Sequence, residues 1–316
     1  MAIRRILMTI SASVRAGLAG LALLGMAATA GAHNGEASRI LPAAEQSAAG
    51  QSAAEASAAE ASADALSADF GPTYADLVDL ASQADLVGMV LVQDQIPLPA
   101  ERAPGVAPGH MRLYIKSLTQ SVLAAPRAIG QELVFLVDVP VDERGRPPRL
   151  KKQTFLVFGD LDPARPRDLQ LLSSDAMMPA DPVIEQRVRQ VLIQLSAPDK
   201  PSAVTGIADV ISIPGNLAGE SETQIFVETE AGVPVSMNVI RRPGMVARWG
   251  ISFGDIVNPS ARPPARETLA WYQFACNLPR ELPPGAFLQR DRAAQAQART
   301  DYSFILDDLG DCDRRL

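Results

Sequence analysis

The pattern of apolar and polar positions predicts a succession of helices and strands from residue 70 onward. A short helix is expected over 74–85, because Thr73 and Asp76 have capping-box spacing and Leu77 and Leu80 begin an apolar stripe. Four prolines and two glycines in 97–109 predict a long irregular loop. Continuous apolar runs or strict alternation predict strands at 86–93, 111–118, 132–139 and 154–161.

The clearest helix is expected over 182–195. Asp181 is in the N-cap position, Pro182 is at the first helical position, and apolar residues recur on one face from Ile184 to Leu195. A second helix is expected over 265–277, and it is apolar on nearly every face, which is typical of a buried helix. Between these helices, alternation predicts strands at 204–213, 223–230, 233–240 and 245–253.

Consecutive strands followed by a helix occur twice, which favours an α+β protein with antiparallel sheets and packing helices. The predicted organisation has two sheet-rich modules, at 70–198 and 199–288, with Pro198 and Pro201 at their boundary. Residues 289–316 are expected to form a polar surface helix and tail.

The first module resembles small exported barrels of the netrin/OB-like type. The resemblance covers about 90 residues and depends on the early helix, "ADLVGMV", a long loop, a strand, "SVLAAP" and a strand pair ending in "TFLVFG". It implies a small barrel and no particular function. The cysteines typical of that family are not present at this point of the chain.

The first 32 residues are predicted to be a cleaved signal peptide. Three arginines precede the apolar run 16–30, which ends in two possible Ala-x-Ala cleavage sites. A membrane anchor is the alternative, but the run is shorter than a typical span. The pair Arg4-Arg5 leaves twin-arginine export open. Residues 33–69 are Ala/Ser/Glu-rich and are predicted to be a disordered tether.

Composition bears on the compartment and on partners. Twenty-five Arg against four Lys is typical of GC-rich bacterial genomes, so the expected destination is the periplasm or the medium. Residues 1–32 hold three Arg and no acid, so the net charge of −7 becomes −10 after cleavage. This charge disfavours nucleic acid and anionic membrane surfaces as partners, and no membrane span is expected after cleavage.

The two cysteines, Cys276 and Cys312, are predicted to form a structural disulfide. An even pair in an oxidising compartment is more often bonded than free. The bond would fix the C-terminal tail to the helix that contains Cys276.

Two motifs suggest chemistry that the rest of the sequence does not support. Ser252 lies in a Gly-x-Ser-x-Gly pattern, but no histidine follows it, and a convincing helix does not follow the strand. His33, the first residue after one cleavage site, could chelate copper together with His110, yet it begins a long tether. We therefore assign no catalytic, metal-binding or cofactor-binding residue.

Two further clusters have ordinary structural interpretations. The acidic cluster Asp307, Asp308, Asp311 and Asp313 lacks calcium-loop spacing and is interpreted as a solvated tail. Four aromatic residues could form a stacking platform for a sugar or a peptide, but a helix that is apolar all round places them in the core. These residues are Trp249, Trp271, Tyr272 and Phe274.

The sequence favours a non-enzymatic binding protein of the cell envelope, whose partner is another envelope protein or a small ligand. The alternative is a hydrolase that uses dispersed carboxylates, since such a pair leaves no local signature. The sequence does not identify the ligand.

Overall fold

The computed structural model describes residues 71–254 and 260–316. The predicted signal peptide (1–32) and tether (33–69) lie outside the described residues. The helices are α1 (Tyr74–Gln83), α2 (Pro182–Ser196), α3 (Leu269–Asn277) and α4 (Arg292–Leu309). The strands are β1 (Leu86–Pro97), β2 (His110–Ala124), β3 (Glu132–Pro140), β4 (Thr154–Leu161), β5 (Leu169–Leu171), β6 (Met177–Pro179), β7 (Val204–Pro214), β8 (Ser221–Thr229), β9 (Val235–Arg241) and β10 (Arg248–Phe253).

The first sheet is a half-barrel with strand order β3-β2-β1-β4-β5, and β6 pairs with β4. All of its neighbouring strands run antiparallel. The two edge strands, β3 and β5, approach each other. A single parallel bridge joins Val134 of β3 to Asp168, the residue before β5. This arrangement fits the small barrel that the sequence resemblance implies.

The second sheet is an antiparallel meander with strand order β10-β9-β8-β7. Two antiparallel sheets with a few helices confirm the predicted α+β class. The Ala231-Gly232 turn connects β8 and β9 between the strands predicted at 223–230 and 233–240, and Gly232 adopts a positive φ of 67° there.

Two hydrophobic clusters hold these layers together. One fills the half-barrel and includes Val90, Ile115 and Phe135. The other combines the helices with the inner face of the second sheet, and it also takes in Val87 and Phe158 from the first sheet. Residues of both sheets therefore belong to one shared cluster, and the half-barrel has a second cluster of its own.

The predicted helix starts are confirmed. The Thr73 hydroxyl accepts the Asp76 amide at 3.1 Å, and the Asp76 carboxylate accepts the Thr73 amide at 2.8 Å, which completes the capping box. The Asp181 carboxylate accepts the amides of Val183 and Ile184 at 2.8 and 3.1 Å. These caps satisfy amides that have no partner within the helix.

The C-terminal helix is more buried than its polar sequence suggests. In α4, Ala298, Tyr302, Ile305 and Leu309 lie at helical spacing on a buried face that joins the shared core. The many polar residues between them obscure this face. The expectation of a surface helix is therefore correct for one side of α4 only.

The predicted pair Cys276–Cys312 lies at disulfide distance, with 2.12 Å between the two sulfurs. Beyond it, the chain packs across the start of α1. The Thr73 hydroxyl donates to the Asp313 carbonyl at 2.7 Å, and Arg314 Nε lies 2.6 Å from the Asp79 carboxylate. The acidic side chains of the tail are exposed, as expected, but the backbone of this segment is held by specific hydrogen bonds.

An ion pair on the outer face of the half-barrel should make stability depend on acid pH. Arg112 and Asp138 are cross-strand partners, and Nε and Nη2 of Arg112 each lie 2.7 Å from a carboxylate oxygen. The hydrogen bonds from Arg112 hold the pKa of Asp138 below its usual range. Because the folded-state pKa is lowered, this stabilisation is complete above the unfolded pKa and is lost as the pH falls through the folded value.

We therefore expect Asp138→Asn to lower the free energy of unfolding by about 1 kcal/mol at pH 7, a modest value because the pair is partly exposed. The difference from the wild type should persist down to about pH 5 and shrink below about pH 4. Urea unfolding of both proteins across this range tests it. A difference that grows in acid would contradict the assignment.

Candidate functional site

A groove of about 990 Å³ lies on the half-barrel. Such a volume lies at the upper end of the usual range for ligand sites, which is about 300–1,000 Å³. The groove lies where β3 and β5 separate after their single bridge, next to the loops β1–β2 and β4–β5. Its lining includes Ile96, Leu98, Arg102, Tyr114, Val134, Leu136, Asp162, Arg165, Asp168 and Gln170.

The backbone of β3 is open along this groove. The Val134 amide points away from β2, because it donates to the Arg167 carbonyl at 2.8 Å. In an antiparallel pair, every second residue directs both N–H and C=O to the same side. Leu136 and Asp138 therefore direct their backbone groups to the groove edge, where no backbone partner for them occurs among the described residues. Phe135 and Val137 face β2 instead.

The outer wall of the groove is apolar and partly exposed. Ile96, Tyr114 and Leu136 are register partners across β1, β2 and β3, so they form one row on the outer face. Leu136 is 46% exposed, although both of its neighbours are buried in the half-barrel. An exposed leucine next to an open strand edge is a feature that most proteins avoid or protect.

The β4–β5 loop forms the ordered polar rim of the groove. Arg165 lies 2.7 Å from the Asp162 carboxylate and 3.0 Å from that of Asp168. The Ala164 amide and the Arg165 guanidinium lower the pKa of Asp162 by hydrogen bonding to its carboxylate. The ion pairs with Arg165 fix both carboxylates in place, so this loop forms an ordered rim.

Two donors on the opposite side of the groove are available to a ligand. Arg102 lies on a short turn, in which its amide donates to the Pro99 carbonyl at 2.9 Å. Among the described residues, neither the guanidinium of Arg102 nor the hydroxyl of Tyr114 has a side-chain hydrogen bond or ion pair. The groove thus combines an apolar wall, an open backbone edge and a few polar groups.

Ser252, the residue of the Gly-x-Ser-x-Gly motif, does not lie in this groove. It is buried on β10, opposite Ser236 of β9. Gly254 turns the chain with a φ of 108°, and the described residues that follow, 260–268, contain no helix. The strand-to-helix turn that exposes a nucleophile is therefore not formed in the described chain.

The histidines and the acidic cluster considered as possible metal ligands do not form a common site in the described residues. His110 is exposed at the start of β2, and His33 lies outside the described residues. Asp308 accepts the indole N–H of Trp249 at 2.7 Å, and Asp311 faces Arg280 at 3.6 Å. Within 71–254 and 260–316, no three His, Cys, Asp or Glu residues lie close enough to hold a metal ion.

The aromatic residues occupy the core, as their helical context predicted. Trp249, Trp271 and Phe274 are buried, and the Trp271 indole donates to the Leu309 carbonyl at 2.9 Å. The half-buried Tyr272 donates its hydroxyl to Asp79, and burial raises the pKa of Tyr272 to about 12. They contribute packing and hydrogen bonds rather than an exposed stacking surface.

Sequence reasoning did not find the groove residues. One signal was available: the run 132–139 is apolar at nearly every position, whereas an antiparallel sheet with one solvated face should alternate. Val134 and Leu136 are the residues that break the alternation. Their partner across the opening, the β4–β5 loop, is about thirty residues away in sequence, so no local pattern connects the two.

No known family model matches the chain, and a comparison with curated proteins finds no similar protein. None of the helices in the described residues is long and apolar enough to span a membrane.

Proposed function

We propose that this chain is an exported, non-enzymatic binding protein of the cell envelope that binds an extended segment of a partner polypeptide in the groove between β3 and β5. The open backbone edge of β3 is the observation that carries this proposal. A strand added there would form main-chain hydrogen bonds with Leu136 and Asp138. Its alternate side chains would pack against Leu136 and Ile96.

The position of the groove supports this proposal. Five-stranded barrels of the OB type bind oligonucleotides and oligosaccharides across their second and third strands and between the loops 1–2 and 4–5. The groove lies on the corresponding elements, β2, β3 and the two loops. This likeness is architectural and supports the place of binding rather than the identity of the ligand.

Export is supported by the N-terminal sequence and by the Cys276–Cys312 pair, because disulfides persist in oxidising compartments. In an envelope setting, the predicted tether of residues 33–69 would let the binding module reach its partner. A polypeptide partner also fits the acidic chain better than nucleic acid does.

Peptide selection tests the proposal. A displayed library of random ten-residue peptides is selected against the purified full chain, and the affinity of recovered peptides is measured by fluorescence anisotropy. We expect peptides with apolar residues at every second position. The substitution Leu136→Lys should weaken their binding at least about tenfold, because an added charge protects a strand edge from pairing.

The matched control is Ile193→Lys, which alters an exposed side chain of α2 away from the groove. Neither substitution should change stability by more than about 1 kcal/mol, because both side chains are partly exposed and lie outside the buried clusters. Recovery of no peptide, or equal binding to the Leu136→Lys protein, would show that the β3 edge is not the binding site.

A further inference from the structure

A run of cations in the loop between β3 and β4 is held in an ordered position beside β1. Residues 144–152 contain five Lys or Arg and no Asp or Glu. The Leu150 amide donates to the side-chain oxygen of Gln95 at 2.5 Å, and the Gln95 side-chain amide donates to the Pro148 carbonyl at 2.9 Å. Leu150 is buried, whereas the residues on either side of it are exposed. We call the exposed cations of this part of the loop the basic ribbon: Arg149, Lys151 and Lys152.

Lys152 has a backbone conformation that side-chain-bearing residues rarely adopt. Its φ is 67°, in the left-handed region where glycine is the usual residue. Its amide donates to the Val92 carbonyl at 2.8 Å, and its side chain is exposed. The strain therefore brings no packing of this side chain in return. Strain of this kind is typical of functional positions, so it favours a role for the exposed ammonium group.

One carboxylate opposes the basic ribbon on the outer face of the half-barrel. Lys151 Nζ lies 3.4 Å from the carboxylate of Asp94, which is also the cross-strand partner of Lys116. Asp94 therefore lies between two lysines. Among the described residues, the side chains of Lys116, Arg149 and Lys152 make no hydrogen bond or ion pair. Four cations thus face a single acid.

The charges around this cluster are balanced. At the tip of the same loop, Arg146 pairs with Asp142, and Arg144 follows directly after Glu143. On the sheet, Arg112 pairs with Asp138 and Arg167 pairs with Glu132. Residues 86–171, which form the strands β1 to β5 and their loops, contain eleven Lys or Arg and nine Asp or Glu, in a chain of net charge −7. The excess positive charge of this part of the chain is therefore concentrated at the basic ribbon and Lys116.

The cations lie next to the groove. Asp94, Lys116 and Val134 are register partners across β1, β2 and β3, and they form the row next to the apolar wall. Val134 also lines the groove. A polypeptide segment that binds in the groove would thus pass close to Lys116, with the basic ribbon on the far side of Asp94.

We propose that the basic ribbon and Lys116 bind an acidic, extended segment of a polypeptide. Arg149 and Lys151 flank one buried residue, and an extended partner likewise directs every second side chain to one face. A long polyanion such as nucleic acid would also meet the acidic remainder of the chain, whereas a short acidic segment does not. The choice of a polypeptide rests on the proposed function. Its acidic residues would be next to the apolar residues that bind in the groove.

Binding of two labelled peptides to the full chain, measured by fluorescence anisotropy at low salt, tests the proposal. The Glu peptide has ten residues in which Glu and Ser alternate, and the Gln peptide has Gln in place of each Glu. We expect the Glu peptide to bind at least about tenfold more tightly, with most of the difference lost at high salt. Neither peptide has an apolar residue, so Leu136→Lys should not weaken binding of the Glu peptide. Failure of the basic ribbon is thereby distinguishable from failure of the groove.

The substitution Lys152→Gly separates binding from stability. Glycine adopts this φ without strain, so urea unfolding should show no loss of stability. The Kd of the Glu peptide should rise about threefold, because one exposed ion pair is removed, and about tenfold when Arg149→Ser is added. The matched control is Lys200→Gly, which removes the same charge at an exposed position after α2 and should leave the Kd unchanged.

Equal binding of the Glu and Gln peptides would overturn the proposal. An equal loss of binding in Lys152→Gly and Lys200→Gly would also overturn it, because it would indicate an effect of net charge alone. Phosphatidylglycerol vesicles and single-stranded DNA serve as competing anions. If either binds more tightly than the Glu peptide and loses affinity in Lys152→Gly, the partner of the basic ribbon is not an acidic polypeptide.

Discussion

Replacing Asp301 with Asn should lower the free energy of unfolding by about 3 kcal/mol, which makes it one of the most damaging single substitutions in the chain. Asp301 lies on α4, and its side chain is fully buried. It accepts hydrogen bonds from Arg241 Nε and the Thr223 hydroxyl, both at 2.5 Å, and from the Gln297 amide at 3.0 Å. A neutral amide would leave Arg241 without its counter-charge and place a donor opposite donors.

The expected loss is at the lower end of the range for buried ion pairs, because the Arg241 side chain remains 29% exposed and water can solvate it in part. Urea unfolding at pH 7 measures the effect. Asp307→Asn is the matched control, since Asp307 lies on the same helix but faces water, and it should change stability by less than about 0.5 kcal/mol. If Asp301→Asn costs less than about 1 kcal/mol, the network does not hold α4 on the second sheet.

The second large effect concerns the disulfide. Changing both Cys276 and Cys312 to Ser should destabilise the protein by about 3–4 kcal/mol, because the bond closes a loop between residues 36 apart and restricts the unfolded chain. Replacing both cysteines avoids leaving a single thiol free to react. Reduction of the wild type by a thiol should produce a loss of similar size.

The loss should be accompanied by a local change at the start of α1. Without the disulfide, the segment after Cys312 is held only by bonds such as Thr73 to Asp313 and Arg314 to Asp79. Hydrogen exchange in the first turn of α1 should therefore increase more than exchange in β8. A uniform increase over both elements, or an unchanged stability, would contradict the role of the disulfide in fixing the tail.

Local signals were sufficient for most of the secondary structure and for the disulfide. Asp181 and Pro182 mark the start of α2 because capping chemistry is local. The disulfide was predictable because the chain has two cysteines and an oxidising compartment was expected. The division into modules at residue 198 remains a prediction.

Features that depend on distant residues could not be read from the sequence. Asp301 lies in a polar stretch, and only the fold places it against Thr223, 78 positions earlier. The groove arises because β3 and β5 meet at one bridge and then separate, which no periodicity encodes.

The most direct test of binding at the β3 edge is the hydrogen exchange of individual β3 amides, measured by NMR with and without a saturating selected peptide. The amides of Leu136 and Asp138 should exchange at least about tenfold more slowly in the complex, because each gains a partner or lies beneath the added strand. The amides of Phe135 and Val137, which face β2, should change little. Unchanged exchange at Leu136 and Asp138 in a saturated complex would contradict binding by strand addition.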